Sequence, residues 1–123
     1  MNLPKSEEQL MQILWQKEKA FMKDITEAYP EPKPKATTIA TLLKRLLTKG
    51  AIGFTQFGNV REYHPIWNKE EYFSSHFNGL IKNFFNDSIP QFASFFTSNE
   101  NMTEEQLKEL KSIVDQQIKA RKK

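Results

Sequence analysis

Cysteine is absent from the 123 residues, glycine occurs four times and histidine twice. Without cysteine there is no disulfide framework, no thiolate metal site and no cysteine nucleophile, and a reducing compartment suits the chain. The histidines, His64 and His76, share no metal-ligand spacing with Asp or Glu, so no metal site is expected. No Walker loop, dinucleotide fingerprint, G-x-S-x-G elbow or carboxylate pair in a recognisable cleft element is present, so the chain is not expected to be an enzyme or to need a cofactor. Long apolar runs are missing too. Nothing approaches the roughly 18 unbroken apolar residues of a membrane span, and "MNLPKSEEQLMQILW" lacks the basic and apolar regions of an export signal. The expectation is a cytoplasmic protein without membrane insertion.

Acidic residues are absent from one long stretch. Between Glu31 and Glu62 there is no Asp or Glu, while Lys33, Lys35, Lys44, Arg45, Lys49 and Arg61 all fall inside the gap. The whole net charge of +3 sits in residues 1–67, with ten Lys/Arg against seven Asp/Glu; residues 68–123 carry eight of each. A basic zone of this kind is what a polyanion requires. A solvated face with a chance gap in acids has the same composition, so placement decides between them.

What is present orders itself into helices and one hairpin. Leu10, Ile13, Leu14 and Lys17 recur at helical spacing, with Ser6 and Gln9 matching a capping box, so a first helix is expected over about Ser6 to Lys17. A shorter one over about Lys23 to Tyr29 would bury Ile25, Ala28 and Tyr29. "PEPKP" at 30–34 ends it, because proline cannot continue a helix. In "ATTIATLLKRLLTKG", residues 36–50, Ile39, Leu42, Leu43, Leu46 and Leu47 fill one helical arc. Thr37, Thr38, Thr41, Lys44, Arg45 and Thr48 fill the opposite one, and Gly50 supplies the stop. Two extended runs then flank Gly58-Asn59, a pair suited to a hairpin turn, with Phe54 set opposite Tyr63.

Helix, short helix, basic helix and hairpin are the order of a winged helix-turn-helix. The fold class expected is therefore mainly α with a small β-hairpin wing: a DNA-binding domain over residues 1–67 and a helical dimerisation domain over 68–123. The third helix is the element that enters a major groove. Thr37, Thr38, Thr41, Lys44, Arg45 and Lys49 are its DNA-facing residues, and Arg61 is the wing's. A merely solvated helix would more often interleave glutamate with its lysines for i,i+4 pairing, and this one has none.

Asn68 and Glu71 can cap a helix running to about Asn86, whose aromatic stripe includes Phe73, Phe77, Leu80 and Phe84. Ser88 with Pro90 opens a short helix bearing Phe92, Phe95 and Phe96, and Thr103 with Gln106 caps a last one bearing Leu107, Leu110, Ile113, Val114 and Ile118. Seven of the ten phenylalanines lie between 73 and 96, more apolar surface than three short helices can cover. A second copy is the expected cover, with Phe73, Phe77, Leu80, Phe84, Phe92, Leu107, Leu110 and Val114 at a homodimer interface. A membrane-surface helix would carry Lys/Arg on its polar face, where this one has Glu70, Glu71, Ser74, Ser75, Asn78 and a single Lys82.

"TTIATLLKRLLTKGAI", "GNVREYHP" and "MTEEQLKELKSIV" together resemble the penicillinase repressors, bacterial winged-helix dimers that repress transcription, and the likeness runs from about Leu3 to the end. The resemblance implies that Thr38, Thr41 and Arg45 face DNA and that Arg61 meets a phosphate. It also implies a double-stranded operator with dyad symmetry, and a membrane-bound sensor-protease system that ends repression in a β-lactam response. The family's cut, at an Asn-Phe bond, corresponds to Phe95-Phe96 here, where the asparagine is missing. The cysteine-rich tail of copper-responsive relatives is also missing, so copper is not the expected signal. A winged-helix protein-interaction module, whose polar helix face meets an acidic protein instead of DNA, is the alternative from another class.

Overall fold

Of the arc expected to face inward, Ile39, Leu42, Leu43 and Leu46 are buried and Leu47 is half-buried in the computed structural model, which describes residues 2–98 and 102–122. They belong to α3 (Ala36–Lys49), which packs with α1 (Lys5–Lys17) and α2 (Met22–Ala28) around a core that also holds Leu10, Met11, Leu14, Ile25 and Ile52. The wing strands are β2 (Ile52–Phe57) and β3 (Val60–Pro65), joined through Gly58 at φ +59°. Phe54 pairs with Tyr63 as expected, their ring centroids 6.1 Å apart. A third strand escaped the sequence reading. The two-residue β1 (Ala20–Phe21) pairs antiparallel with β3, making the sheet order β1-β3-β2. Two residues are too few to show an alternating pattern, so only pairing reveals it.

Three local expectations need correction. Helix α1 begins at Lys5 behind Pro4, and Ser6 lies inside the first turn without capping it; proline presets a φ suited to a helix start. Helix α2 begins at Met22, where the Asp24 carboxylate accepts the Phe21 N–H at 3.0 Å. Ala28, expected in the core, is exposed, whereas Ile25 and Tyr29 are buried. The helix stops at Ala28 and Tyr29 is extended, so the two side chains no longer follow one helical face.

The chain forms two compact units, residues 1–77 and 78–123, which part inside α4 (Lys69–Phe84), ten residues beyond the 67/68 division read from the sequence. The cause is Tyr72. Its side chain is fully buried, its hydroxyl donates to Glu8 Oε2 at 2.8 Å and accepts the Leu3 N–H at 3.2 Å, and its ring lies against Trp15 and Trp67. Trp15 Nε1 in turn donates to the Trp67 carbonyl at 2.8 Å. The first turns of α4 are thereby part of the N-terminal unit.

In the second unit the caps form as expected for the two later helices, α5 (Ile89–Thr97) and α6 (Glu104–Arg121). Ser88 accepts the Gln91 N–H, and Thr103 and Gln106 exchange reciprocal bonds. Asn68, at the start of α4, accepts the N–H groups of Glu70 and Glu71. Helix α4 ends two residues before the Asn86 expected, where Asn86 and Asp87 take positive φ and the Asp87 N–H returns to the Ile81 carbonyl. Phe92 packs against Phe85 and Phe96, and Ile81 is the one buried apolar side chain among this unit's described residues.

Leu46→Ala is expected to cost about 2–5 kcal/mol by leaving a cavity in the first core, read as a lower melting temperature. Burial, reinforced by the Glu8 acceptor, pushes the Tyr72 hydroxyl above the ordinary tyrosine value, and burial does the same to Tyr29. A raised folded-state value favours the protonated form in the fold. Stability from these groups is thus complete below about pH 10 and is lost as pH rises through the raised values. Tyr72→Phe should lower the melting temperature at neutral pH but flatten its decline above about pH 10.

Candidate nucleic-acid interface

The outward arc of α3 is set by what the inward arc buries. Thr37, Thr38, Thr41, Lys44, Arg45 and Thr48 are all exposed, opposite the buried aliphatic residues. Gly50 closes the helix at φ +78°, with the Gly50 N–H donating to the Leu47 carbonyl and the Ala51 N–H to that of Leu46, each at 3.0 Å. Only glycine adopts that backbone without strain, and the reversal leads the chain directly into the wing. Helix α3 and the wing are therefore joined by a short, hydrogen-bonded turn.

The threonine hydroxyls are already oriented. Thr41 Oγ1 donates to the Thr37 carbonyl and Thr48 Oγ1 to the Lys44 carbonyl, each at 2.9 Å. With its proton directed back at the helix, Thr41 can present to a partner only oxygen lone pairs and a methyl group.

The six cations of the acid-free stretch fall into two groups. Lys33 caps the C-terminal end of α2, its Nζ donating to the carbonyls of Thr26, Glu27 and Tyr29 at 3.2, 3.0 and 2.7 Å. Lys49 is held 2.5 Å from Glu7, whose side chain is 2% exposed while that of Lys49 is 38% exposed, so an exposed cation is offset by a buried carboxylate. Lys35, Lys44, Arg45 and Arg61 are exposed as well, and they have no carboxylate partner among the described residues. Arg61 has its guanidinium 4.1 Å from the Phe54 ring centroid and donates to Gln56 Oε1 at 3.4 Å, which holds it on the wing. The charge gap could not tell cations that cap a helix or pair with a carboxylate from cations that do neither.

Among the residues grouped for dimerisation, Phe73 and Phe77 lie in the first unit, and the Phe73 ring is 5.8 Å from Trp15. In the second unit Leu80 and Phe84 are exposed on α4 and Val114 on α6, while Phe92, Leu107 and Leu110 are half-buried. Phe95 and Phe96 are both exposed within α5. Among the described residues, no group of three or more His, Cys, Asp or Glu could hold a metal ion, and no helix is long and apolar enough to cross a membrane.

The family model described as penicillinase repressor matches residues 3–116, nearly the whole chain, including α3 and the wing. The chain belongs to the penicillinase repressor family. It is 26% identical over 121 residues to a penicillinase repressor from Bacillus licheniformis, covering 96% of this chain and 92% of that protein. Membership makes it a DNA-binding regulator with a repressor's role in transcription.

Lys49→Ala and Arg45→Ala are expected to separate cleanly. Removing Lys49 leaves the buried Glu7 carboxylate without its partner and should cost about 1–3 kcal/mol of stability, seen in thermal melts. Removing the exposed Arg45 should leave the melting temperature in place. It should instead cost about 1–3 kcal/mol of specific DNA affinity if the side chain reads a base, or lower the salt slope by about one if it meets a phosphate.

Proposed function

We propose that this protein represses transcription in the cytoplasm as a homodimer, each copy laying α3 in the major groove of one half of a dyad operator, with the wing over the flanking backbone. The observation that carries this reading is the exposed Thr-Lys-Arg arc of α3, a helix without an acidic side chain, beside the wing that bears Arg61. Thr37, Thr38, Thr41 and Arg45 meet base edges. Lys44 and Arg61 meet phosphates. Thr41, with its proton engaged by Thr37, accepts from adenine N6 or cytosine N4 or packs its methyl on a thymine. Half-sites about one helical turn apart, or a multiple of it, would match the two copies.

Dimerisation is supported by the apolar side chains the second unit leaves in solvent. Phe84 is 72% exposed, and Ile113, Val114 and Ile118 line one side of α6. The family resemblance adds release by a sensor-controlled protease in a β-lactam or related stress response. A cut at the exposed Phe95-Phe96 bond would detach α6 and its share of the interface.

The test has two arms. On mixed-sequence DNA the logarithm of affinity should fall linearly with the logarithm of salt concentration; a flat response would move the reading to a protein-binding winged helix. A chain ending at Phe95 should sediment as a monomer and bind operator DNA about 10²–10⁴-fold more weakly, because linkage of two sites is lost. An unchanged dimer with unchanged affinity would exclude cleavage there as the switch.

A further inference from the structure

One side of the first unit opens into a cleft of about 970 Å³ bounded by the start of α2, by α3 and by the wing. Its walls are mainly apolar: Phe21, Met22, Leu43, Leu47, Val60 and Tyr63. Its charged lining is unbalanced, with Lys23, Lys44 and Arg61 against Asp24 alone. Asp24 is engaged, because its Oδ2 accepts the Phe21 N–H at 3.0 Å. Lys23 and Lys44 are exposed and have no ion-pair partner among the described residues, and the Arg61 guanidinium rests on the Phe54 ring and not on a carboxylate.

An apolar hollow edged by unmatched cations is complementary to one chemical class. A neutral apolar molecule would fill the walls but leave three cations partly desolvated and uncompensated, which is costly. A bare inorganic anion would satisfy the cations and leave the walls wet. A molecule with an apolar body and a single acid group satisfies both, and the volume lies in the range of roughly 300–1,000 Å³ usual for small-ligand sites.

We propose that this cleft binds an amphipathic organic carboxylate, its apolar body against Met22, Leu47 and Val60 and its acid group among Lys23, Lys44 and Arg61, and that occupation releases the protein from DNA. Release rests on the DNA reading above. Lys44 and Arg61 serve the phosphates there and the carboxylate here, so the two partners draw on the same cations, and each weakens the other by the same factor.

The full-length chain can be titrated with decanoate and with 2-naphthoate, a linear and a flat apolar body, while backbone amides are followed by NMR. Decanol and 2-naphthalenemethanol serve as neutral counterparts. At least one acid should shift the amides of Met22, Leu47, Val60 and Tyr63 and bind about tenfold or more tightly than its alcohol. Val60→Glu places a second carboxylate in the cleft at an exposed strand position, and it should weaken that binding about tenfold without changing the melting temperature. The same acid should raise the apparent Kd for mixed-sequence DNA. Shifts confined to the exposed apolar residues of the second unit, equal binding of acid and alcohol, or indifference to Val60→Glu would overturn the site. Cleft binding with undiminished DNA binding would overturn the release alone, and cleft binding by a chain that ignores DNA would overturn the repressor reading and leave the site standing.

Discussion

Burial of the aliphatic arc of α3 is the constraint on which the rest of the N-terminal unit depends. A helix has one rotational setting about its axis, and Ile39, Leu42, Leu43 and Leu46 choose it. Each such side chain gains about 1.5–3 kcal/mol on leaving water. Turning the helix by half a revolution would forfeit that gain and press Lys44 and Arg45 into the core, where unpaired charge is far more costly than exposed apolar surface. The polar arc thus owes its orientation to the core behind it, and its chemistry is available because none of it is needed for folding.

Around that helix the fold uses its cations selectively. Lys33 satisfies three carbonyls at the end of α2, and Lys49 neutralises the buried Glu7 on α1. Both act as fasteners, one just before α3 in sequence and the other at its last residue. Lys44, Arg45 and Arg61 have no carboxylate partner among the described residues, so a polyanion can meet them without displacing an ion pair. The cation–π seat of Arg61 over Phe54 costs it none of that charge and limits its freedom, which lowers the entropy lost on contact.

The second unit rests on a different balance. Its helices α5 and α6 are capped from within by Ser88 and by the Thr103–Gln106 box, so their starts do not depend on packing. Its core, however, is thin: Ile81 is buried and Phe92 draws Phe85 and Phe96 together, while Phe84, Ile113, Val114 and Ile118 stay in solvent. Locally satisfied backbone with unspent apolar surface is the condition in which association supplies what folding alone does not.

Periodicity by itself determined the two faces of α3, and the Gly58-Asn59 turn determined the register that sets Phe54 against Tyr63, because both signals are carried by neighbouring residues. The caps at Ser88 and Thr103 were legible for the same reason. Contacts between distant residues were decided only by tertiary structure. Strand β1 exists because Ala20 and Phe21 meet β3, Ala20 pairing with Tyr63, 43 residues on, and Phe21 with Glu62, 41 residues on. Tyr72 joined the first unit because Glu8, Leu3 and Trp15 happened to surround it, and Lys49 gained an ion-pair partner because Glu7 was buried beneath it. Spacing encodes which face of a helix is apolar; it does not encode which buried carboxylate a given lysine will find, since that partner is brought by the fold from 42 positions away.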